Sequence, residues 1–374
     1  MDVLRPHIID LGGRYYRCSP ASVGQASDSD AGQLPAYVED VHDEDYEDNE
    51  ECIAIQELPD GRYSSSLTFP SALFSHFIGR GGDVKRRNEK ETNTSIDIPK
   101  KGVEGDIVIR GHSRHDVASA CGRLHVLAVK GRRLAEWTHL LCIPLKGVVT
   151  VVENFDTFRK AFLQSSGKMR GVDPSIFQNP LKLHLTLGTL KLLSQAEVDE
   201  AVHQLQESLP TMQAILGRPS ARSPPVIRIQ GVEYMNDDPA EVDILYAKVQ
   251  LQDQSDRLQE LADFLVDRLA AVGVLEKEYD RVKLHATVIN TKLRRTPETP
   301  AGGSVAAAAA ASSKSRPGKH HRHEPRETFD ASRALKDFSN FDFGSVPLTE
   351  LHLSQRYTAG DDQFYKPSHI LNLL

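Results

Sequence analysis

The chain has 374 residues, enough for two domains and tails at about 150 residues per domain. Its composition, 39% hydrophobic and 26% charged, is that of a soluble globular protein, and no apolar run reaches the roughly 18 residues of a membrane span. Residues 1–10 lack the pattern of a secretory signal, and the four cysteines form no C-x-x-C pair. We therefore expect a soluble intracellular protein with no membrane association, no disulfide framework and no zinc knuckle.

The net charge of -7 is unevenly distributed. Residues 1–50 hold three basic and twelve acidic residues, so the remaining 324 residues sum to +2. Residues 18–51 are poor in large apolar side chains and end in a dense acidic stretch, which predicts a disordered linker. The segment from Arg5 to Arg17 carries apolar and aromatic residues and is either a docking peptide for a partner protein or a frayed terminus. We treat residues 1–51 as one N-terminal region.

Residues 52–131 predict a small α+β unit with a defined order of elements. Apolar alternation marks strands, and a helical stripe marks the last helix. The predicted elements are a strand at Tyr63–Phe69, helices at Ser71–Ile78 and Asp83–Thr92 on either side of a turn at Gly79–Gly82, strands at Ser95–Pro99 and Asp106–Arg110, and a helix at Ser113–Lys130.

The turn Gly79-Arg80-Gly81-Gly82 is the first candidate for a binding site. Glycines allow a tight turn and let backbone N–H groups approach a phosphodiester, while nearby cations attract a nucleic-acid backbone. The alternative is a structural turn between two helices. The candidate contacts are Gly79, Arg80, Gly81, Gly82, Lys85, Arg86 and Arg87.

The element order, together with Phe77-Ile78-Gly79-Arg80-Gly81-Gly82, resembles a eukaryotic-type (type I) KH domain. In that family the loop clamps about four nucleotides of a single strand beside a base-reading groove. The resemblance implies single-stranded nucleic acid as a partner, with RNA favoured. The second helix departs from the family pattern, because Lys85 replaces the usual aliphatic residue and Asn88 follows, which leaves Val84 as the main apolar anchor.

Strands and helices alternate through residues 132–374, apart from a low-complexity insertion at 296–327. The insertion contains prolines, six consecutive alanines and a basic, histidine-containing run, which predicts a solvated loop. The predicted strands are His139–Leu145, Leu183–Leu187, Val226–Val232, Ile244–Leu251, Leu284–Ile289 and Glu350–Ser354, and the predicted helices are Phe155–Gln164, Gln195–Ser208 and Asp256–Val272.

An internal repeat is the strongest functional signal. Lys182-Leu183-His184-Leu185-Thr186 recurs 101 residues later as Lys283-Leu284-His285-Ala286-Thr287. On a strand, residues i and i+2 share a face, so each histidine and its threonine point the same way. Two imidazoles supply the base and the acid of phosphodiester cleavage, and threonine hydroxyls can bind the phosphate oxygens.

A single H-x-T strand is more often structural, but a repeated pattern favours chemistry. The sequence His352-Leu353-Ser354 also fits H-x-S. It lacks the preceding lysine and the even spacing, so we interpret it as a structural or rim strand.

The paired H-x-T strands resemble the two-histidine phosphoesterase superfamily, which includes cyclic phosphodiesterases, RNA-ligase-like proteins and RNA 3'-end trimming enzymes. The resemblance implies a bilobal fold with one H-x-T strand per lobe and no metal or other cofactor. It also implies that His184 and His285 are the acid/base pair and that Thr186 and Thr287 bind phosphate.

The chain is thus predicted to be α+β, with a type I KH domain at 52–131 followed by a bilobal two-histidine phosphoesterase domain at 132–374. This narrow combination resembles a family of subunits of a nuclear complex that contains a helicase. The resemblance implies a role in transcription coactivation and in the response to alkylated nucleic acid. Three functions remain open. The first is a phosphodiesterase or RNA end-processing enzyme, and the second is a non-catalytic adaptor that binds RNA or nucleotide ends. The third is an assembly subunit that acts mainly through its first seventeen residues and the acidic linker.

Overall fold

The computed structural model describes residues 7–11, 14–18, 54–100, 103–277, 279–294 and 327–374, with the backbone alone for the first two ranges. The chain divides into two units, Met1–Leu134 and Ala135–Leu374. The acidic linker predicted at 18–51 and the insertion predicted at 296–327 lie outside the described residues, except for Cys18 and Glu327.

Two short antiparallel strands lie within the segment proposed as a docking peptide. Strand β1 spans His7–Leu11 and β2 spans Arg14–Cys18, with Ile9 opposite Tyr16. The sequence predicted no secondary structure there. Whether this hairpin docks on a partner stays a prediction.

The small unit is a four-stranded antiparallel sheet packed against three helices. The strand order is β3-β4-β6-β5, and the longest helix packs across the sheet. Phe74, Phe77, Ile107, Ile109 and Leu124 are almost fully buried and form its core. The elements are β3 (Ile55–Glu57), β4 (Tyr63–Leu67), α1 (Phe74–Ile78), α2 (Asp83–Glu91), β5 (Thr94–Asp97), β6 (Ile107–Gly111) and α3 (Arg114–Leu134).

The observed order of elements around the glycine turn is the predicted one, with two differences. Strand β3 precedes the predicted first strand, and α3 continues to Leu134, beyond the predicted end at Lys130. A 3-10 turn, Ser71–Leu73, forms the first part of the helix predicted at Ser71–Ile78.

The large unit is built on one curled eight-stranded sheet. Its strand order is β12-β9-β10-β11-β8-β7-β13-β14, and all neighbours pair antiparallel. Its elements are β7 (His139–Pro144), α4 (Val149–Ser166), β8 (His184–Leu190), α5 (Gln195–Glu207), α6 (Leu209–Ile215), β9 (Val226–Tyr234), β10 (Ile244–Leu251), α7 (Arg257–Ala271), β11 (His285–Asn290), α8 (Ser332–Asp337), β12 (Asp342–Pro347), β13 (Glu350–Gln355) and β14 (Pro367–Asn372).

This sheet consists of two halves of four strands that meet at β8 and β11. These are the two strands predicted to carry the H-x-T repeats, and each is the innermost strand of its half. Helix α7 packs on β8 and β10, while α4 packs on β12. The apolar sides of both halves join one continuous core, in which Leu185, Leu187 and Val288 are buried. The fold therefore holds the two repeated strands side by side, with their apolar sides packed in the same hydrophobic core.

Within the ranges that the structure describes, no helix combines the length and apolar character needed to cross a membrane. The same ranges contain no group of three or more histidine, cysteine or acidic side chains arranged to hold a metal ion.

Candidate active site and nucleic-acid loop

The two H-x-T strands lie next to each other in opposite directions. Leu185 of β8 pairs with Ala286 of β11. This antiparallel register places His184 opposite Thr287 and Thr186 opposite His285. All four of these side chains are partly exposed, while Leu185 and Ala286 between them are buried. The structure thus brings the four predicted catalytic side chains to one open face of the sheet.

Each imidazole is held by the backbone carbonyl of the residue two positions before it. Nδ1 of His184 lies 2.8 Å from the carbonyl oxygen of Lys182, and Nδ1 of His285 lies 2.7 Å from that of Lys283. Because a carbonyl oxygen only accepts, each Nδ1 carries a proton and donates it. In the neutral ring Nε2 then holds the lone pair, which is the form required of a general base.

Burial lowers the pKa of both histidines. For His184 the main cause is desolvation, opposed by the bond to the Lys182 carbonyl and reinforced by the charge of His285. For His285 the main cause is again desolvation, and the positive charge of Lys283 acts in the same direction. The repulsion between His184 and His285 means that the first protonation makes the second harder. The pair is suited to holding one proton rather than two.

A tyrosine stands beside each histidine. The ring of Tyr365 meets His184 edge to face at 5.4 Å between centroids, and the ring of Tyr246 meets His285 in the same way at 5.5 Å. The hydroxyl of Tyr246 donates to Glu233 Oε2 at 2.9 Å, and burial together with this carboxylate raises the pKa of Tyr246. These rings limit the movement of the imidazoles.

The third histidine strand is buried beside the site. His352 lies opposite Cys142, which itself lies opposite Thr186. The exposed fraction of His352 is 4% and that of Ser354 is zero, and Nε2 of His352 donates to Glu350 Oε2 at 2.7 Å. Neither side chain is open to a substrate, in keeping with a structural strand.

Cys142 lies on the site face but is not a nucleophile. Its side chain is fully buried, and burial raises the pKa of the thiol to about 12. The thiol therefore stays protonated at neutral pH, and a thiol is a poor nucleophile compared with its thiolate.

The glycine turn of the small unit has a backbone that favours glycine at three positions. Gly79 has φ 72° and ψ -179°, and Gly81 and Gly82 also have positive φ angles of 62° and 83°. A Cβ on Gly79 would collide with Asp83 and Val84. These angles carry the chain from α1 into α2 in four residues.

The predicted cations around this turn are not equivalent. Arg80 and Arg87 are exposed. Arg86 donates to the carbonyl of Gly81 at 2.8 Å, and Lys85 lies 3.6 Å from Glu89. Arg80 and Arg87 are therefore the side chains most open to a phosphate, while Arg86 also fixes the shape of the turn.

Comparison with known proteins identifies a family for each of the two folds. Residues 137–373 match the model of the AKAP7 2'5' RNA ligase-like domain, and residues 64–125 match that of the KH domain. The chain is 42% identical over 361 residues to activating signal cointegrator 1 complex subunit 1 of Mus musculus, with 96% of each chain covered. This chain belongs to the family of that subunit. The predicted α+β class and the order of its two folds are confirmed.

Sequence patterns did not indicate every side chain beside the two histidines. Tyr365 lies in the connection between β13 and β14, where no repeat or periodicity marks it. Tyr246 lies on a predicted strand, but only its position beside His285 distinguishes it from other strand tyrosines. A signal was available for Lys182 and Lys283, because both belong to the repeated pentapeptide.

Proposed function

We propose that this chain is a nuclear RNA-binding subunit with a metal-independent phosphodiesterase or RNA end-processing activity. The observation that carries this proposal is the register of β8 and β11, which sets two histidines and two threonines on one open face. The KH domain would hold a single strand of RNA. The AKAP7 2'5' RNA ligase-like domain would cleave a phosphodiester of that strand.

The reaction follows from the protonation of the two imidazoles. A neutral histidine takes the proton of an attacking water or 2'-hydroxyl through Nε2, and a protonated histidine gives a proton to the leaving oxygen. Thr186 and Thr287 donate hydrogen bonds to the non-bridging oxygens, whose charge pattern changes in the transition state. One imidazole is neutral and the other is cationic only while the pair holds a single added proton, a state that their mutual repulsion favours.

Substitution of the histidines tests the activity directly. We expect His184→Ala and His285→Ala each to lower kcat by at least about 10²-fold, because each removes one proton transfer. The measurement is hydrolysis of linear and cyclic phosphodiesters by the full chain without added metal. His203→Ala, an exposed histidine of α5, is the matched control and should leave turnover unchanged.

RNA binding measured on the same variants separates the enzyme from the adaptor. If the wild-type chain binds RNA but hydrolyses no phosphodiester, the non-catalytic adaptor is the better description. Full turnover by His184→Ala would instead contradict the proposed role of His184 in the reaction.

We also propose that the chain works within the nuclear activating signal cointegrator 1 complex, with the helicase and other subunits as partners, in transcription coactivation and alkylation repair. The support is the similarity to a subunit that bears the name of that complex. The segment before the acidic linker is the candidate docking element. Deletion of residues 1–50 is expected to abolish co-purification with the helicase subunit, and full retention after the deletion would contradict this assignment.

A further inference from the structure

The repeated pentapeptide includes a lysine, two residues before each histidine, that the proposed reaction does not use. Lys182 ends a 3-10 turn just before β8, and Lys283 precedes β11. The backbone carbonyl of each lysine already orients the histidine of its own strand. Orienting an imidazole requires only the backbone carbonyl, so the lysine side chains themselves have no role in the reaction as proposed.

Each lysine side chain lies over the tyrosine that stands beside its histidine. Nζ of Lys182 is 5.2 Å from the centre of the Tyr365 ring, and Nζ of Lys283 is 5.0 Å from that of Tyr246. Each half of the site thus contains the same cluster of lysine, tyrosine and histidine. The cation–π contact places each ammonium beside the open face without neutralising its charge.

Neither ammonium has an acidic partner among the described residues. By contrast Lys146, which lies over the ring of Phe364 beside His184, forms an ion pair with Asp362. Burial lowers the pKa of Lys182, so the side chain is partly desolvated without a compensating carboxylate. An anion supplied by a ligand would provide that compensation.

The antiparallel register sets the two lysines on opposite sides of the histidine pair. Each lysine precedes its histidine, and β8 and β11 run in opposite directions. Lys182 therefore lies beyond His184 at one end of the site, and Lys283 lies beyond His285 at the other. One phosphate between the two histidines would have an ammonium on each side.

We propose that Lys182 and Lys283 bind the phosphates that flank the scissile phosphodiester, so that the site selects an oligonucleotide chain over a single isolated phosphodiester. This inference rests on the proposed function and specifies its substrate class. A cyclic mononucleotide offers no flanking phosphate, whereas a polynucleotide offers one on each side. The tyrosine rings hold the ammonium groups in place before the oligonucleotide binds.

Two short substrates isolate the effect of the flanking phosphates. The first is a ribodinucleotide with a single phosphodiester, NpN, and the second is the same dinucleotide with 5'- and 3'-terminal phosphates, pNpNp. Both are too short for a loop that clamps about four nucleotides, so the KH domain does not contribute. The assay is kcat/KM for each substrate with the full chain.

The wild-type chain is expected to prefer pNpNp over NpN by at least about tenfold. Lys182→Gln and Lys283→Gln should each reduce that preference several-fold, mainly through KM. Cleavage of NpN should stay within about twofold when each variant is assayed at its own pH optimum. Lys336→Gln, an exposed lysine of α8 with the same change in net charge, should alter neither value. Equal losses of kcat/KM on both substrates would mean that the lysines bind the scissile phosphate and not its neighbours. No loss of kcat/KM on either substrate would mean that the lysines do not bind substrate.

Equilibrium binding separates failure of this inference from failure of the proposed activity. If the wild-type chain cleaves neither substrate, the proposed phosphodiesterase activity is contradicted. The affinities of the chain for pNpNp and NpN are then compared instead. Weaker binding of pNpNp by both lysine variants, with unchanged binding of NpN, supports the flanking-phosphate sites. Unchanged binding of pNpNp overturns them.

Discussion

His184 and His285 of the large unit are partly removed from solvent, and this affects their pKa. Each is partly enclosed by a tyrosine ring, and each is desolvated, which disfavours the charged imidazolium. The bond from Nδ1 to a carbonyl works in the opposite direction but does not outweigh desolvation. As a result the pKa of both groups lies below the usual value of 6.5 in the free protein.

This shift determines where activity should be highest on the pH scale. The reaction requires one neutral and one protonated imidazole, so kcat/KM depends on pH as a bell with its limbs at the two pKa values of the pair. Both values are lowered from 6.5, so the maximum should lie below pH 6.5, and activity should fall as pH rises because the protonated acid is lost.

The measurement is kcat/KM for a short phosphodiester between pH 4.5 and 8.5. Lys283→Gln serves as an internal comparison, because removing a positive charge beside His285 should raise the pKa of that group and move the maximum to higher pH. A maximum above pH 7 in the wild-type chain would contradict the assignment of these histidines as acid and base.

At the scale of elements, the strands that the sequence predicted are mostly the central ones. The two H-x-T strands were predicted because buried leucine and alanine residues alternate with polar ones. Strands β12 and β14 are edge strands of the sheet, and β3 is an edge strand of the small unit. Edge strands need less apolar sequence, and β12 and β14 contain proline and glycine or exposed polar residues, so their pattern is weak.

The second helix of the KH domain illustrates another limit of sequence reasoning. Its apolar face was predicted to be thin, with Val84 as the main anchor. In the structure Asn88 is buried with 5% exposure, and its backbone carbonyl accepts a hydrogen bond from the hydroxyl of Thr92. Its side-chain Nδ2 has no hydrogen-bond partner among the described residues. The helix therefore uses an amide at an interior position that a hydrophobic pattern cannot identify.

The candidate active site was predictable to the extent that it repeats within the chain. His184 and His285 were found from the pentapeptide, and antiparallel pairing of their strands then brought both to one face. Tyr365 comes from a connection more than seventy residues after the second repeat, so only the folded chain reveals its contact with His184. Local patterns identify residues on strands, but contacts from distant loops depend on the tertiary fold.

For the whole molecule, the main consequence is that one chain joins a strand-holding unit to a candidate phosphodiesterase unit. Binding of an RNA by one unit raises the effective concentration of that RNA at the other, provided that the RNA is long enough to reach both. The exposed Arg80 and Arg87 supply most of the uncommitted charge at the glycine turn. Their contribution should depend on salt, as phosphate contacts do.

We therefore expect the KH domain to accelerate cleavage of long RNA and not of short RNA. Arg80→Gln combined with Arg87→Gln should raise KM by about tenfold for a single strand of twenty nucleotides at low salt, with kcat unchanged, because the chemical groups of the large unit are untouched. The same variant should cleave a dinucleotide at the wild-type rate.

Arg333→Gln combined with Lys336→Gln, on α8 of the large unit, removes the same net charge and is the control for non-specific electrostatics. The comparison is repeated at several salt concentrations, since two lost phosphate contacts should make the dependence of log(1/KM) on log salt shallower by about 1.4. An equal loss on dinucleotide and long RNA would place the arginine effect in the folding or chemistry of the large unit. No loss on either substrate would mean that the glycine turn does not deliver RNA to the histidines, and each unit would then act on its own ligand.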